Sequence, residues 1–165
     1  MSHGYHHDAA ATAAAWRNGW FHTGDLFRRD PDGHYIFIDR LKDALRRRGE
    51  NISSFEVENT IARHPLVREA AVVAAAGAGG EDEVLAVVSA VDGCAIDPRA
   101  LFEFLEPRLP HFMLPRYIRV LPTLPKTPTH KPEKHRLRAE GVTADTWDRE
   151  ACGITIRRQT LERRG

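Results

Sequence analysis

Two apolar stretches in the middle of the chain restrict its fold more than any other feature. Residues 67–76, VREAAVVAAA, and residues 83–91, EVLAVVSAV, are separated by the glycine-rich stretch GAGGED. Short apolar runs that contain β-branched residues and are bounded by turn residues are typical of buried strands. We therefore predict two paired central strands joined by a flexible turn. The GAGG sequence lacks the spacing and the following helix of a nucleotide-binding fingerprint.

Helix signals on both sides of these strands indicate an α+β fold. Ser53 and Glu56 match a capping box, with Ser53 or Ser54 as the cap of a helix that runs to about residue 64. The dipeptide Asp97-Pro98 supplies a cap and a first-turn proline for a helix over residues 98–109. Three apolar residues of that helix are predicted to share one face: Leu101, Phe104 and Leu105.

The first 40 residues are predicted to be rich in β-structure. Residues 9–15 form a short alanine-rich helix, and the aromatic and β-branched segments 19–25 and 33–38 flank an Asp-Pro-Asp-Gly turn. A group of polar residues near the N-terminus is interpreted as exposed rather than as metal ligands, because no second ligand cluster follows; it comprises His3, His6, His7 and Asp8.

The last 50 residues are predicted to hold less regular structure. Residues 116–125, RYIRVLPTLP, are a further strand candidate. Residues 126–138, KTPTHKPEKHRLR, indicate a loop and then a short helix with Pro132 in its first turn. Residues 141–165 have weak periodicity, so we expect a loosely attached tail.

Composition and charge exclude several classes of protein. Hydrophobic residues make up 42% of the chain and the formal net charge is +1, whereas a general nucleic-acid binder usually has a clear basic excess. Cys94 and Cys152 lack the spacing of a metal site or a disulfide framework, which favours a reducing cytoplasm. No segment has the roughly 18 apolar residues of a membrane span, and the N-terminus lacks the pattern of a signal peptide.

Three segments carry side chains that suit sugar or phosphate recognition, although each is a weak signal alone. Asp25 follows Thr23-Gly24, and a carboxylate at a strand end can accept two hydrogen bonds from ribose hydroxyls. Arg40 and Lys42 lie in the highly charged stretch 39–58. Lys131 lies in a loop rich in Pro and Thr, where its ammonium group could stabilise charge on a phosphoryl oxygen.

Together the segments resemble the C-terminal part of the adenylate-forming, or AMP-binding, enzymes. The resemblance covers about residues 4–138 and rests on GWFHTGDL, DGHYIFIDRLKD, RGENISSFEVE, LPHFMLPRYI and LPKTPTHK, in this order. The superfamily includes acyl- and aryl-CoA synthetases, the adenylation domains of peptide synthetases, and luciferases. The chain is most similar to acyl-CoA ligases of the crotonobetaine or carnitine type. The resemblance implies ATP-dependent activation of a small carboxylic acid, followed by thioester formation with CoA.

The resemblance implies a role for each matched residue. Asp25 would bind the ribose hydroxyls of ATP, and Arg40 would contact the nucleotide near the same sugar. Lys42 would be the hinge on which the C-terminal domain swivels. Lys131 would be the catalytic residue of the first half-reaction, between the carboxylate and the α-phosphate. Three further residues would belong to a loop that borders the pantetheine tunnel of CoA: Gly49, Glu50 and Asn51.

Two details of the charged segments are left open or depart from the family pattern. Arg46, Arg47 and Arg48 are interpreted as a solubilising surface, with contact to the CoA phosphates as the weaker alternative. His130 stands where the family usually has glycine before the lysine, and Asp39 replaces a glycine that commonly precedes the arginine.

The resemblance also implies a domain organisation. Residues 1–38 would be the end of a larger N-terminal domain, residues 39–43 a hinge, residues 44–140 a small mixed sheet with two or three helices, and residues 141–165 the tail. The chain lacks the phosphate loop, the adenine-binding segment and the acyl pocket of the family. ATP with its Mg²⁺, and CoA, would therefore need the missing domain, which a separate chain could supply, and the acyl substrate stays undetermined.

Two interpretations from different classes remain. The first is a ligase portion that needs a partner domain for activity. The second is a truncated or stand-alone interaction module in which the matched residues are relics. Exposed apolar surface around Trp16, Trp20 and Phe21, left by the missing domain, would favour a partner or aggregation.

Overall fold

The chain divides into two compact units at the junction of Lys42 and Asp43. The computed structural model describes residues 4–47, 49–77 and 80–156. The helices within these ranges are α1 (Ala9–Ala15), α2 (Ser54–Ile61), α3 (Pro98–Leu105) and α4 (Lys134–Glu140). The strands are β1 (Trp16–Arg17), β2 (Trp20–Phe21), β3 (Asp25–Arg29), β4 (Tyr35–Arg40), β5 (Leu45–Arg47), β6 (Glu50–Ile52), β7 (Val67–Ala76), β8 (Asp82–Ala90), β9 (Tyr117–Val120) and β10 (Trp147–Asp148).

The first unit consists of α1 and two small antiparallel hairpins. Asp8 caps α1 by accepting a hydrogen bond from the Ala11 amide at 2.8 Å, so this side chain is used by the helix. Strands β1 and β2 pair with each other, as do β3 and β4. Asp30 closes the turn between β3 and β4 through a 2.8 Å hydrogen bond from the His34 amide. The sequence indicates segment 19–25 as the strand before this turn. In the structure the strand before the turn is β3, and Trp20–Phe21 belong to the separate β1–β2 hairpin.

The second unit is built on a four-stranded mixed sheet in the order β10-β9-β8-β7. Strands β7 and β8 are antiparallel, as predicted, and β8 and β9 are parallel. The prediction that both apolar strands are central is wrong for β7, which lies at the edge of the sheet in the described part of the chain. The turn predicted between them includes residues 78 and 79, which lie outside the described residues.

The expectation of a loosely attached tail is wrong for residues 141–156. Strand β10 pairs antiparallel with β9 and adds a fourth strand to the sheet. Three side chains of this segment pack against the main core: Trp147, Ile154 and Ile156. Periodicity did not reveal this attachment because a two-residue strand is too short to show a repeat. Residues 157–165 lie outside the described part of the chain.

Both faces of the sheet are buried, which explains why β7 and β8 are apolar without alternation. Val72 and Val84 contribute to a core shared with α2 and α3, whereas Val73 and Leu85 contribute to a core shared with Leu137 of α4. Because helices cover both faces of the sheet, β7 and β8 need apolar side chains at successive positions.

The helix starts agree better with the sequence than the helix ends do. Ser53 caps α2 and accepts from the Glu56 amide at 3.2 Å, and Asp97 caps α3. Helix α2 ends at Ile61 rather than near residue 64, and α3 ends at Leu105 rather than at residue 109. Pro132 precedes α4 instead of lying in its first turn.

The inner face of α3 also differs from the prediction. Phe102 is buried together with Leu101 and Leu105, while Phe104 is half-buried and packs against His64 and Arg108. In its described residues the second unit thus contains three helices, one mixed sheet and a two-stranded hairpin, and the α+β class is confirmed. The longest helices in the described ranges have eight residues, too few to cross a membrane.

Candidate functional site

Asp25 and Arg40 face each other across the β3–β4 hairpin. They are register partners, and Arg40 Nε lies 3.4 Å from Asp25 Oδ1. The Asp25 amide donates to Thr23 Oγ1 at 3.1 Å, and Gly24 at φ +73° turns the chain into β3. The structure therefore brings together the two residues that the sequence linked to the nucleotide sugar.

An open cleft of about 460 Å³ lies beside Asp25 within the first unit. Besides Thr23, Gly24 and Asp25, it is lined by Ala14, Arg17, Phe21, His22 and Leu41. The sequence did not point to Arg17 or His22 as site residues. Folding of the β1–β2 hairpin carries Arg17 to the cleft, so no local pattern could have revealed it, whereas His22 directly precedes Thr23 in the sequence.

Lys42 lies exposed in the turn that ends the first unit. The next residue, Asp43, is fixed within the second unit by an ion pair at 3.2 Å to Arg138 of α4. Asp39, which precedes Arg40, is buried and its Oδ1 accepts from the Arg40 amide at 2.7 Å. The position at which the resemblance implies a glycine therefore holds a side chain with a defined place in this chain.

The segment around Gly49 forms an antiparallel hairpin of β5 and β6. Leu45 and Ile52 pair at its base and are buried, while Glu50 and Asn51 are exposed near its tip. Gly49 has φ +81°, and a Cβ at this position would meet nothing within 4 Å. Glycine is thus explained here by the left-handed backbone rather than by a close approach to neighbouring atoms.

Arg47 corrects the interpretation of the three arginines as surface. Its side chain is 2% exposed and pairs with Glu83 at 2.8 Å. Its Nη1 also donates to the backbone oxygens of Phe112 and Leu114, each at 3.2 Å. Arg47 is therefore a core residue that ties β5 to β8 and to the 109–115 connector. Arg46 is exposed, and Arg48 lies outside the described residues.

The pair of Arg47 and Glu83 continues into a larger charged cluster around Arg116. Arg116 Nη2 lies 3.3 Å from Asp148 Oδ2, and its Nη1 lies 3.1 Å from Glu150 Oε2. Burial alone would raise the pKa of Asp148, but the hydrogen bond and charge of Arg116, with the Glu150 amide, hold it below its ordinary value. This cluster fastens β10 to β9 and is structural.

Lys131 is presented by a tight turn. The His130 amide donates to Thr127 O at 2.9 Å, and the Thr127 amide donates to Lys131 O at the same distance. His130 has φ +61°, so the histidine adopts the left-handed conformation that suits a glycine. Lys131 is exposed, and its ammonium group forms no hydrogen bond or ion pair within the described ranges.

Two other lysines that the sequence did not single out lie on either side of this turn. Lys126 pairs with Glu69 of β7, and Lys134 pairs with Glu58 of α2 at 2.7 Å. Their spacing from Lys131 has no feature that distinguishes them from surface lysines. No hydrogen bond or ion pair joins Lys131 to residues 49–51 in the described part of the chain, so the turn and the hairpin are separate features of the second unit.

One exposed cluster has the residue types of a metal site. The potential ligand atoms of Asp30, Asp32 and His34 lie within 4.8 Å of one another. His34 Nδ1 is already 3.1 Å from Asp30 Oδ2, and Asp30 Oδ1 accepts from the His34 amide. These groups close the β3–β4 turn, and we assign no metal to them.

Comparison with known proteins supports the resemblance that the motifs indicated. Residues 56–131 match the model of the AMP-binding enzyme C-terminal domain. The chain is 40% identical over 135 residues to peroxisomal trans-cinnamate:CoA ligase of Petunia hybrida, covering 82% of this chain and 24% of the relative. It is 34% identical over 133 residues to crotonobetaine/carnitine–CoA ligase of Proteus sp., covering 81% of this chain and 26% of the relative.

The fold is shared with part of a solved CoA synthetase. The o-succinylbenzoate CoA synthetase of Bacillus subtilis, in complex with its acyl-adenylate intermediate, has a TM-score of 0.74 and 29% identity, over 82% of this chain and 28% of that chain. The chain spans about a quarter of the length of the curated relatives it matches. Residues 56–131 therefore match an AMP-binding enzyme C-terminal domain, and the chain is similar to CoA ligases and other adenylate-forming enzymes over about a quarter of their length.

Proposed function

We propose that the chain serves as the C-terminal portion of an ATP-dependent acyl-CoA ligase and requires an N-terminal domain for activity. The matched relatives are CoA ligases about four times as long as the matched segment. In the proposed reaction a carboxylate oxygen attacks the α-phosphorus of ATP and pyrophosphate leaves. The CoA sulfur then attacks the acyl carbon of the adenylate and AMP leaves. The acid itself would be selected by the N-terminal domain.

The observation that carries this proposal is the environment of Lys131. Its ammonium group is exposed and without a partner in the described residues, although both neighbouring lysines are ion-paired. A lysine point charge placed near the α-phosphate and the substrate carboxylate would stabilise the charge that develops as the adenylate forms. Lys131 also lies at the end of the matched family segment.

Asp25 and Arg40 suit contact with the nucleotide sugar. Asp25 lies beside an open cleft, and Arg40 Nε lies 3.4 Å from its buried Oδ1. A carboxylate held in this way can accept both ribose hydroxyls. Mg²⁺ would neutralise charge on the ATP phosphates, and none of the residues proposed here needs to ligate it.

The hinge and hairpin residues would serve the second half-reaction. Lys42 lies in an exposed turn at the end of one unit, while Asp43 is fixed to the other, so rotation would concentrate at Lys42. The exposed tip formed by Gly49, Glu50 and Asn51 would then border the pantetheine arm of CoA. A cytoplasmic location remains part of this proposal, and at least one relative is peroxisomal by name.

The test is acyl-CoA formation from a panel of carboxylic acids with ATP and CoA. The chain is assayed alone and mixed with a separately expressed N-terminal domain of a related ligase. We expect activity only in the mixture, with adenylate formation reduced at least 100-fold in Lys131→Ala. His135→Ala, an exposed neighbour on α4, is the matched control and should retain activity.

A second candidate function is that of an interaction module. Large apolar side chains are exposed in the first unit, including Trp20 at 75% and Tyr35 at 69%. Contiguous exposed apolar surface is typical of protein-binding sites. Failure of every mixture to form acyl-CoA, from folded protein, would refute the ligase proposal and favour this candidate.

A further inference from the structure

Three lysines within nine residues have different environments. Lys126 and Lys134 are each held by a glutamate, whereas Lys131 between them has a free ammonium group in the described part of the chain. Surface lysines usually make weak and interchangeable contacts. A pattern in which the two outer lysines are fixed and the central one is exposed therefore needs a specific explanation.

The segment before the turn is fixed to strand β7. Lys126 Nζ lies 2.5 Å from Glu69 Oε1, and the backbone of Lys126 forms an isolated bridge with Pro132. The Glu133 amide also donates to Pro125 O at 2.8 Å. The two limbs of the turn are thus joined to each other and, through Lys126, to the sheet.

The segment after the turn is fixed more deeply. Lys134 Nζ lies 2.7 Å from Glu58 Oε1 and donates to Ser54 Oγ at 2.8 Å. Lys134 and Glu58 are both mostly buried, and Ser54 is fully buried. Glu58 Oε1 also accepts from the Val72 amide of β7 at 2.6 Å. Lys134, the first residue of α4, is therefore bound to α2 directly and to the sheet through Glu58.

We propose that Lys134, through Glu58, is the positioning residue that sets the location of Lys131. Lys131 precedes Lys134 by three residues, so movement at Lys134 is transmitted directly to the turn. Helix α4 has no side-chain cap at its first turn, so the Lys134 contacts fix its start together with the backbone hydrogen bond from the Glu133 amide to Pro125 O. The catalytic role of Lys131 rests on the proposed function, whereas the effect of Lys134 on the location of Lys131 does not.

A misplacement of about 1 Å can reduce the rate of a reaction between bound groups by roughly 100-fold. Lys131 has a long and flexible side chain. Its backbone therefore has to be held firmly if the ammonium group is to contact one phosphoryl oxygen. Lys126 contributes on the other limb, but its pair with Glu69 is more exposed and is expected to matter less.

The first test measures hydrogen exchange in the full chain and needs no activity. Lys134→Met should speed exchange of the Thr127 and Lys131 amides at least tenfold, because these amides close the turn. Lys134→Arg should restore slow exchange, because a guanidinium can also reach Glu58 and Ser54. Arg136→Met, which removes an exposed ion pair with Glu140 on the same helix, is the matched control.

The double variant Lys134→Met with Glu58→Gln guards against loss of folding, since it leaves no buried carboxylate without its cation. It should show the same fast exchange in the turn while amides of β8 remain protected. Unchanged exchange at Thr127 and Lys131 in both variants would overturn the positioning role.

The second test uses the chain mixed with an N-terminal domain of a related ligase. Lys134→Met should reduce adenylate formation at least tenfold while thioester formation from supplied acyl-adenylate stays within twofold, and Lys134→Arg should recover the first step. Equal loss in both half-reactions would show a general structural role and overturn the proposal. If the wild-type mixture is inactive while the exchange results hold, the ligase function fails and the positioning of Lys131 stands.

Discussion

At the scale of single residues, Arg46 and Arg47 show how two identical neighbours acquire opposite roles. Alternate residues of a strand point to opposite faces, so β5 exposes Arg46 and buries Arg47. The buried guanidinium is satisfied by Glu83 and by two backbone oxygens. The sequence RRR alone gives no sign of which arginine has a buried partner, because that partner lies on β8.

Arg47→Met should destabilise the protein by about 3 kcal/mol, because Glu83 would lose its nearest cation in the core. Arg46→Met, at the exposed neighbouring position, should change the free energy of unfolding by less than about 0.5 kcal/mol. Urea unfolding followed by circular dichroism measures both. Equal effects of the two substitutions would contradict the burial of Arg47.

The backbone conformation of His130 determines which side chains can replace it without loss of stability. At φ +61° a β-branched side chain is strained by roughly 1–2 kcal/mol, whereas glycine and asparagine adopt this conformation readily. We expect His130→Val to lower the free energy of unfolding by that amount, with His130→Gly and His130→Asn nearly neutral. A chemical denaturation series on the three variants tests this, and a neutral His130→Val would argue against the left-handed backbone.

At the scale of secondary structure, the contribution of β10 depends on charge. Asp148 is hydrogen-bonded to Arg116 through both carboxylate oxygens at 3.3 Å. Its pKa in the folded protein lies below the ordinary 3.8. A depressed pKa contributes stability above the unfolded value, and that stability is lost as the pH falls through the folded value.

Asp148→Asn should therefore lower the free energy of unfolding by about 1 kcal/mol at pH 7. The difference from the wild type should shrink as the pH falls below 3.8, because the wild-type carboxyl then becomes protonated as well. Urea unfolding between pH 7 and pH 2.5 measures the difference. Asp92→Asn removes a carboxylate that is 91% exposed and serves as the control, with little effect at any pH.

Elements with local signals could be predicted from the sequence, and those that depend on distant contacts could not. The caps Ser53 and Asp97 satisfy backbone amides within three residues, so their helix starts were predictable. The ends of α2 and α3 had no glycine at the true boundary, unlike α4 with Gly141, and β10 exists only because β9 offers it a partner. The edge position of β7 likewise follows from the arrangement of the sheet and not from its own composition.

At the scale of the whole molecule, the hydrophobic core belongs to one unit. Every buried apolar side chain in the described ranges lies between Leu45 and Leu137. In the described part of the first unit, residues 4–42, Asp39 is the only buried residue. Burial of apolar surface is the main favourable term in folding, so the stability of the chain resides in the second unit.

We therefore expect a fragment of residues 43–165 to unfold cooperatively, with a Tm within about 5 °C of the full chain. Differential scanning calorimetry of the fragment and the full chain measures this. A fragment of residues 1–42, as the counterpart, should show no cooperative transition. Loss of the transition from the larger fragment would mean that the first unit contributes to the core.

The candidate site was predictable to the extent that its residues carry motifs. Asp25 and Arg40 were linked by resemblance, and the hairpin register then explains their contact. Lys131 was found in the same way, but Lys134 and Glu58 were not, because their pair joins residues 76 positions apart in sequence order. Arg17 was missed because only the folded hairpin brings it to the cleft, and His22 was missed because it carries no motif of its own, although it directly precedes Thr23.

The hydrogen bond between the Val72 amide and Glu58 has a consequence for the behaviour of the protein in concentrated solution. Strand β7 lies at the sheet edge, and an edge strand with free amides is a template for pairing with another chain. The Glu58 carboxylate occupies one such amide, and the Lys134 ammonium group beside it adds a charge that disfavours a second strand. We therefore expect the pair that anchors α4 also to disfavour intermolecular pairing of this alanine- and valine-rich strand.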